Sequence, residues 1–227
     1  MDVVYICRAG DNEELRYSIR SVVENLPHDN LWVVGQKPDW YTGNFVDVKP
    51  LSSKYATARN NLKKLALSKE ISEDFILMND DFYVLNKLNT LPVFNGGTLK
   101  EKLDQYEYLT KQTSYTRSIE TTMYWIEKYL NTEALDYELH VPMAMTRAGL
   151  LKSLRCPGFW RSAYGNMFNV GGTRIEDVKV YSSESVLYSK SFNIKTKTDF
   201  ISSDDISFKL LYESIFKDKF PNKSQYE

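Results

Sequence analysis

Residues 74–85, DFILMNDDFYVL, hold the pattern that decides the fold. Phe75-Ile76-Leu77-Met78 is an apolar run of strand length, and a second run opens at Phe82, so Asp80 and Asp81 fall at the break between them. In open α/β sheets, ligands meet the chain at the carboxyl ends of strands. Two adjacent carboxylates there call for a cation, and Mg²⁺ or Mn²⁺ shared with substrate phosphates is the common solution. The plainer alternative is a turn, since Asn and Asp bond their own backbone in turns.

Working back from this segment, strand and helix signals alternate as a parallel sheet requires. A first strand is expected over 3–7, followed by a helix with Leu15, Ile19, Val22 and Val23 on one stripe. Strands over 31–34 and 45–48 follow, then a helix carrying Ala58, Leu62, Leu65 and Ala66, then the strand 74–78. The order is β-α-β-β-α-β. Residues 98–130 read as a helical insertion, with Leu103, Tyr106 and Leu109 on one helix and Ile119, Met123, Ile126 and Tyr129 on another. A strand over 141–145, a helix over 147–154 and a helix over 206–216 complete the expected elements.

The 227 residues suffice for one large domain with its own core. A net charge of −1 gives no global attraction to nucleic acid or anionic membrane. Two cysteines make no disulfide framework, and Cys7 lies inside the first strand, which points to a reducing compartment. No apolar stretch reaches membrane-spanning length and the N-terminus lacks a signal-peptide pattern, so a cytoplasmic protein with no membrane partner is expected. Sixteen tyrosines suit either polar clefts or core margins and decide nothing.

Arg8, Arg16, Arg20, Arg59 and Asn60 follow the carboxyl ends of expected strands, where phosphates would be met. Arg16 could equally pair with Glu13. Arg59-Asn60 is placed at a helix start, whose positive end favours an anion. His140, one of two histidines, precedes a strand and is a candidate base or metal ligand, although a lone histidine is often structural. His28 is assigned to solvent. Asp204-Asp205 has the form of a helix N-cap. Residues 147–174 hold five Arg or Lys and no acid among Phe159, Trp160, Tyr164 and Phe168. That segment suits phosphates and bases, or a surface whose charges are paired elsewhere.

The β/α first half, Ala58-Arg59-Asn60 and Asn79-Asp80-Asp81 together resemble a glycosyltransferase of the GT-A fold: α/β, a mixed, mostly parallel sheet flanked by helices, with a helical insertion. In that fold an Asp-x-Asp motif holds a divalent ion and the donor pyrophosphate. Asn79 takes the first motif position here, which makes Asp81, with Asp80, the metal candidate. A second resemblance runs along nearly the whole chain. Arg8 with the block Asp11-Asn12-Glu13-Glu14-Leu15-Arg16-Tyr17-Ser18-Ile19-Arg20-Ser21, then Gly35-Gln36-Lys37-Pro38-Asp39-Trp40, then Asn79-Asp80-Asp81-Phe82 resemble blocks of the Stealth family, which transfers hexose 1-phosphate from nucleotide sugars. His140-Val141-Pro142, Arg161, Asp205 and the closing Phe220-Pro221-Asn222-Lys223-Ser224-Gln225-Tyr226-Glu227 resemble its later blocks. The family's opening Trp-Val-Asp-Gly is replaced by Ile6-Cys7-Arg8-Ala9-Gly10, so its first catalytic aspartate has no secure match. The compact length is also similar to bacteriophage glycosyltransferases, some of which decorate hydroxymethylated DNA bases; a phage enzyme would work in the host cytoplasm.

The resemblances imply one domain over 1–227: a nucleotide-sugar half (1–90), the insertion (98–130) and an acceptor-side half (139–227). They imply a UDP-sugar donor, Mn²⁺ or Mg²⁺ on Asp81 and Asp80, and nucleotide or phosphate contacts from Arg8, Arg59, Asn60, Asn79 and Asp80. His140, Arg161 and Asp205 are the catalytic candidates, His140 as base or metal ligand and Arg161 as an anion clamp. The acceptor is modified DNA or a glycan. Glycosyl transfer is the expected reaction and sugar 1-phosphate transfer the runner-up. A non-catalytic nucleotide- or sugar-binding module is the competing class, and a purely structural α/β protein the third.

Overall fold

Strand β1 (Asp2–Cys7) runs through a five-stranded sheet of order β3-β2-β1-β4-β7. The computed structural model describes residues 1–10, 12–106, 111–182 and 198–227. Asp11 and Leu109, both used above, lie outside them. β2 (Leu31–Gly35) and β4 (Asp74–Asn79) flank β1, both parallel to it, and β3 (Asn44–Asp47) runs parallel to β2. A strand paired on both edges and covered on both faces reads as a continuous apolar run rather than an alternating one. Val3, Val4, Tyr5 and Cys7 are accordingly all buried. Because β1, β2 and β3 advance in one direction and β4 returns to the other side of β1, the chain order reverses between β1 and β4. That reversal opens a crevice at their carboxyl ends.

Helix α1 (Glu13–Asn25) follows β1, and its expected stripe is buried at Leu15, Ile19 and Val22 but not at Val23. A second, polar face does equal work. Ser18, Ser21 and Asn25, all buried, bind the backbone of β5 (Phe82–Val84): Ser18 Oγ donates to the Phe82 carbonyl, Val84 N donates to Ser21 Oγ at 3.0 Å, and Asn25 Nδ2 donates to the Val84 carbonyl at 2.8 Å. β5 therefore leaves the main sheet. It pairs antiparallel with β10 (Phe200–Ser203), which pairs in parallel with β9 (Lys179–Val180).

Helix α2 spans Lys54–Leu67 and is capped by Ser53, whose side chain accepts from Ala56 N. Arg59 and Asn60 therefore lie well inside α2 and not at its start. The argument from a positive helix end fails for them, because the polar first turn, Lys54 to Thr57, carries no apolar stripe to announce it. Gly35, at φ +129°, closes β2 so tightly that a Cβ would stand 2.1 Å from the Cys7 carbonyl oxygen.

The chain forms two compact units. The first comprises residues 1–91, 140–145 and 178–227, including all but the last residue of the sheet-edge strand β7 (Met143–Thr146). Its C-terminal helical run starts at Asp205–Ser207, widens into a π turn over Phe208–Tyr212 and returns to α-helix over Glu213–Lys219. Phe208, Tyr212, Phe216 and Phe220 pack with Tyr17, Tyr83 and Ile201 in one apolar cluster.

The second unit comprises residues 92–139 and 146–177. It holds α3 (Leu99–Asp104), α4 (Ser114–Leu130), α5 (Arg147–Ser153), α6 (Trp160–Met167) and the paired β6 (Phe94–Asn95) and β8 (Thr173–Arg174). Leu99, Ile119, Ile126 and Ala134 form its core, and Lys102 Nζ meets Asp136 at 2.7 Å below the surface. The helices of the expected insertion thus share a unit with residues 146–177, while 140–145 and 178–227 belong with the sheet.

The closing residues are bound into the first unit by a buried ion cluster. Arg20 forks onto Glu227 at 2.8 and 2.7 Å, and Arg16 Nη1 adds a contact at 3.0 Å while its guanidinium lies 4.3 Å from the Trp40 ring. Burial would raise the Glu227 carboxyl, but Arg20, the Ser224 amide and Arg16 outweigh it and hold the group down to about 2. An unfolded Glu titrates near 4.5, so this stabilisation is complete above that pH and is lost as pH falls toward 2. Glu227→Gln should lower unfolding free energy at pH 7 by about 1–2 kcal/mol, after allowance for screening, with the gap closing below pH 3 in urea titrations.

Candidate active site

Asn12 sits between β1 and α1 with φ 46°, in the left-handed region that Asn tolerates better than most residues. It serves two masters from that position. Its Oδ1 accepts from Leu15 N at 3.0 Å and caps α1, while Nδ2 donates to Asp80 Oδ2 at 2.7 Å. The end of β1 is thereby bonded to the end of β4, across the crevice that the strand order creates.

A pocket of about 480 Å³ opens at this point, lined by Arg8, Glu14, Asn79, Asp80, Asp81, Lys179 and residues 203–206. That volume suits a small-molecule ligand. Five carboxylates, Glu14, Asp80, Asp81, Asp204 and Asp205, face two cations, Arg8 and Lys179. Asp204 is already used as an N-cap, accepting from Ser207 N at 2.7 Å, as the sequence suggested for this pair. Asp205 accepts from Arg8 Nη2 at 2.7 Å in an exposed pair. Asp81 Oδ2 accepts from Lys179 Nζ at 2.7 Å and from Ser202 Oγ at 3.2 Å.

Crowding of negative charge shows in proton affinity. Asp80 is pushed up to about 6, first by burial and then by Asp81, against the opposing bond from Asn12. Glu14, on the first turn of α1 and 7% exposed, is pushed up to about 8 by burial and then by Asp80, Asp205 and Asp81. Its Oε1 is buried with no hydrogen-bond partner among the described residues, and so is Asn79 Oδ1. Unsatisfied oxygens this deep are uncommon, and a bound water, ion or ligand group is what would satisfy them.

The donor set tests whether a divalent ion fits. Every uncharged or acidic side chain lining the pocket that can ligate does so through oxygen, as Mg²⁺ and Mn²⁺ prefer, and two of those oxygens are orphaned. Among the described residues no three His, Cys, Asp or Glu already stand as a ligating group. The donor atoms are of the kind such an ion takes, and one Asp81 oxygen is already held by Lys179.

Of the residues singled out from sequence, Arg8, Asn79, Asp80, Asp81 and Asp205 come together in this pocket. His140 lies in the same unit, edge-on to the ring of Phe82, which follows Asp81, with centroids 6.0 Å apart. Arg59 and Asn60 are half-buried on α2 and do not line the pocket; the neighbouring Asn61 reaches β1 instead, donating to the Cys7 carbonyl at 3.3 Å. Arg161 belongs to the second unit and is 4% exposed; its charge acts on Glu138, whose carboxylate accepts from Ser162 N at 2.9 Å. Asn12 and Glu14 were quoted within the Stealth-like block but given no role at the site, and Lys179 escaped the sequence reading. Glu14 had a signal, an acid in the first turn after an Asn cap, but such acids ordinarily face solvent.

No family model matches the chain, and no curated protein matches it. Solved structures to which the chain is similar include galactosyltransferase LgtC in complex with donor and acceptor sugar analogs, 12% identical over 100% of this chain and 98% of that one, TM-score 0.42. Mouse xyloside xylosyltransferase 1 is 10% identical over 91% and 99%, TM-score 0.42. A 4-diphosphocytidyl-2C-methyl-D-erythritol synthase is 12% identical over 87% and 94%, also at 0.42. The α/β class, a mostly parallel sheet flanked by helices, stands on this chain's own strand order. No helix among the described residues is long and apolar enough to cross a membrane.

A carboxyl raised to about 8 keeps its proton in the folded state where the unfolded chain, near 4.5, has lost it. Folding therefore binds a proton between those values, and stability falls as pH rises through them. Glu14→Gln removes the titration while keeping the shape. Its melting temperature should exceed that of the wild type by several degrees at pH 9 and match it near pH 5 in scanning calorimetry.

Proposed function

We propose that the protein is a metal-assisted transferase that takes a sugar from a UDP-sugar donor and passes it to an acceptor hydroxyl. The observation that carries this reading is the Asp80-Asp81 pair at the carboxyl end of β4, in an oxygen-lined pocket with orphaned Glu14 and Asn79 oxygens. Asp81, with Asp80, would hold Mn²⁺ or Mg²⁺ against the donor diphosphate, where such an ion neutralises charge on the leaving group. Asn79 Oδ1 supplies a further oxygen beside them. Arg8, whose ion pair with Asp205 is exposed, would turn toward a phosphate on leaving that carboxylate. Arg59 and Asn60, next to Asn61 on α2, are the nucleotide-side candidates.

Glu14 is the better candidate for the base. With the pocket's charge uncompensated it keeps its proton; each positive charge added beside Asp80 and Asp81 favours its carboxylate, which then accepts the proton of the acceptor hydroxyl. His140, against Phe82, is the second candidate. Deep burial against Glu138 gives Arg161 a positioning role in its own unit rather than that of a clamp.

The acceptor we favour is a glycan or small hydroxyl compound over hydroxymethylated DNA. Arg161 and Arg174 of the basic segment already answer Glu138 and Glu101, which thins the cationic surface available to a duplex. Sugar 1-phosphate transfer is the second reading, favoured by how the Stealth-like blocks meet: Arg16 and Arg20 of the first bind Glu227 of the last, and Asn12 binds Asp80.

Asp81→Ala should abolish Mn²⁺-dependent breakdown of a UDP-sugar; unchanged turnover would remove the basis of the proposal. Nucleotide chromatography separates the two transfers, since glycosyl transfer releases UDP and sugar 1-phosphate transfer releases UMP. Tight donor binding with no turnover of any acceptor set would identify a binding module instead. Binding to DNA should be weak and fall steeply with salt.

A further inference from the structure

Lys179 is placed with unusual care for a lysine. It lies on β9 opposite Ser202 of β10, and Ser202 is in turn opposite Phe82 of β5. Three strands therefore bring Lys179 Nζ and Ser202 Oγ to one oxygen of Asp81, at 2.7 and 3.2 Å. The Lys179 side chain is 16% exposed and that of Asp81 13%. Arg8, the other cation of the pocket, is engaged with Asp205 instead. The ammonium thus engages an oxygen of Asp81, the residue that would hold a divalent ion, and close like charges repel strongly where water is scarce. Glu14 Oε1 in the same pocket is buried with no hydrogen-bond partner among the described residues.

We propose that Lys179 is an internal counter-ion that competes with a divalent cation for Asp81 in the free protein and moves onto the donor diphosphate when nucleotide and cation enter together. This rests on the donor reading given above. A lysine suits the exchange because its ammonium is a point charge on a flexible stem that binds carboxylate and phosphate alike. The consequence is order: the cation binds poorly alone and well with nucleotide, so the pocket is charged with metal only when a donor is present.

The test is Mn²⁺ binding to the protein without nucleotide, measured by titration calorimetry, for the wild type, Lys179→Met and Lys179→Arg. Lys179→Met should bind Mn²⁺ alone at least tenfold more tightly than the wild type. The same variant should bind UDP at saturating Mn²⁺ at least tenfold more weakly. Lys179→Arg, which keeps the charge and guards against a folding defect, should stay within threefold of the wild type for Mn²⁺ alone. Unchanged, weaker or absent Mn²⁺ binding in a folded Lys179→Met overturns the proposal. If wild-type donor turnover still needs Mn²⁺ in that case, only the lysine exchange has failed. Equal turnover in Mn²⁺ and in chelator removes the divalent reading and the exchange with it.

Discussion

The hydrogen bond from Asn12 to Asp80 is where the fold becomes a site. It spans the reversal in strand order, so the loop after β1 and the loop after β4 hold one position. The same side chain caps α1, and the cap sets the direction in which Glu14 enters the pocket. Losing this amide would free a helix end and strip Asp80 of the donor that offsets its burial. Stability and chemistry are therefore coupled through one residue held at positive φ.

The second constraint is electrostatic. A folded chain rarely gathers five carboxylates around one cavity without a compensating charge, and here compensation is partial. Asn12, Lys179 and Arg8 each satisfy one acid, Asp204 is absorbed by its helix cap, and Glu14 responds by holding a proton. Raised proton affinities gathered in one cleft are the pattern on which the proposed acid-base and cation-binding roles rest. The C-terminal ion cluster has the opposite character: Arg16 and Arg20 fully answer Glu227, and its proton affinity drops.

Local periodicity made much of the first unit legible. The β1, β2, β3 and β4 runs and the α1 and α2 stripes appear where apolar spacing places them, and the Asp80-Asp81 break falls at the crevice. The start of α2 was not legible, since Lys54 to Thr57 carry no apolar signal, and Arg59 was credited with a helix end it does not occupy. Ser18, Ser21 and Asn25 sit three and four apart like an apolar stripe but are polar, so a hydrophobicity pattern cannot see that they anchor β5. Lys179 was invisible for another reason. Its place depends on the register of β9 against β10 and of β10 against β5, a long-range pairing that no window of neighbouring residues contains.

The central claim is that the crevice between β1 and β4 receives a nucleotide sugar's diphosphate. Hydrogen-exchange mass spectrometry with and without UDP and Mn²⁺ addresses it most directly. The account predicts slowed exchange in peptides covering residues 8–15, 79–82 and 203–206, with little change over 147–174. Protection concentrated in 147–174, with the β1 and β4 ends unaffected, would contradict it.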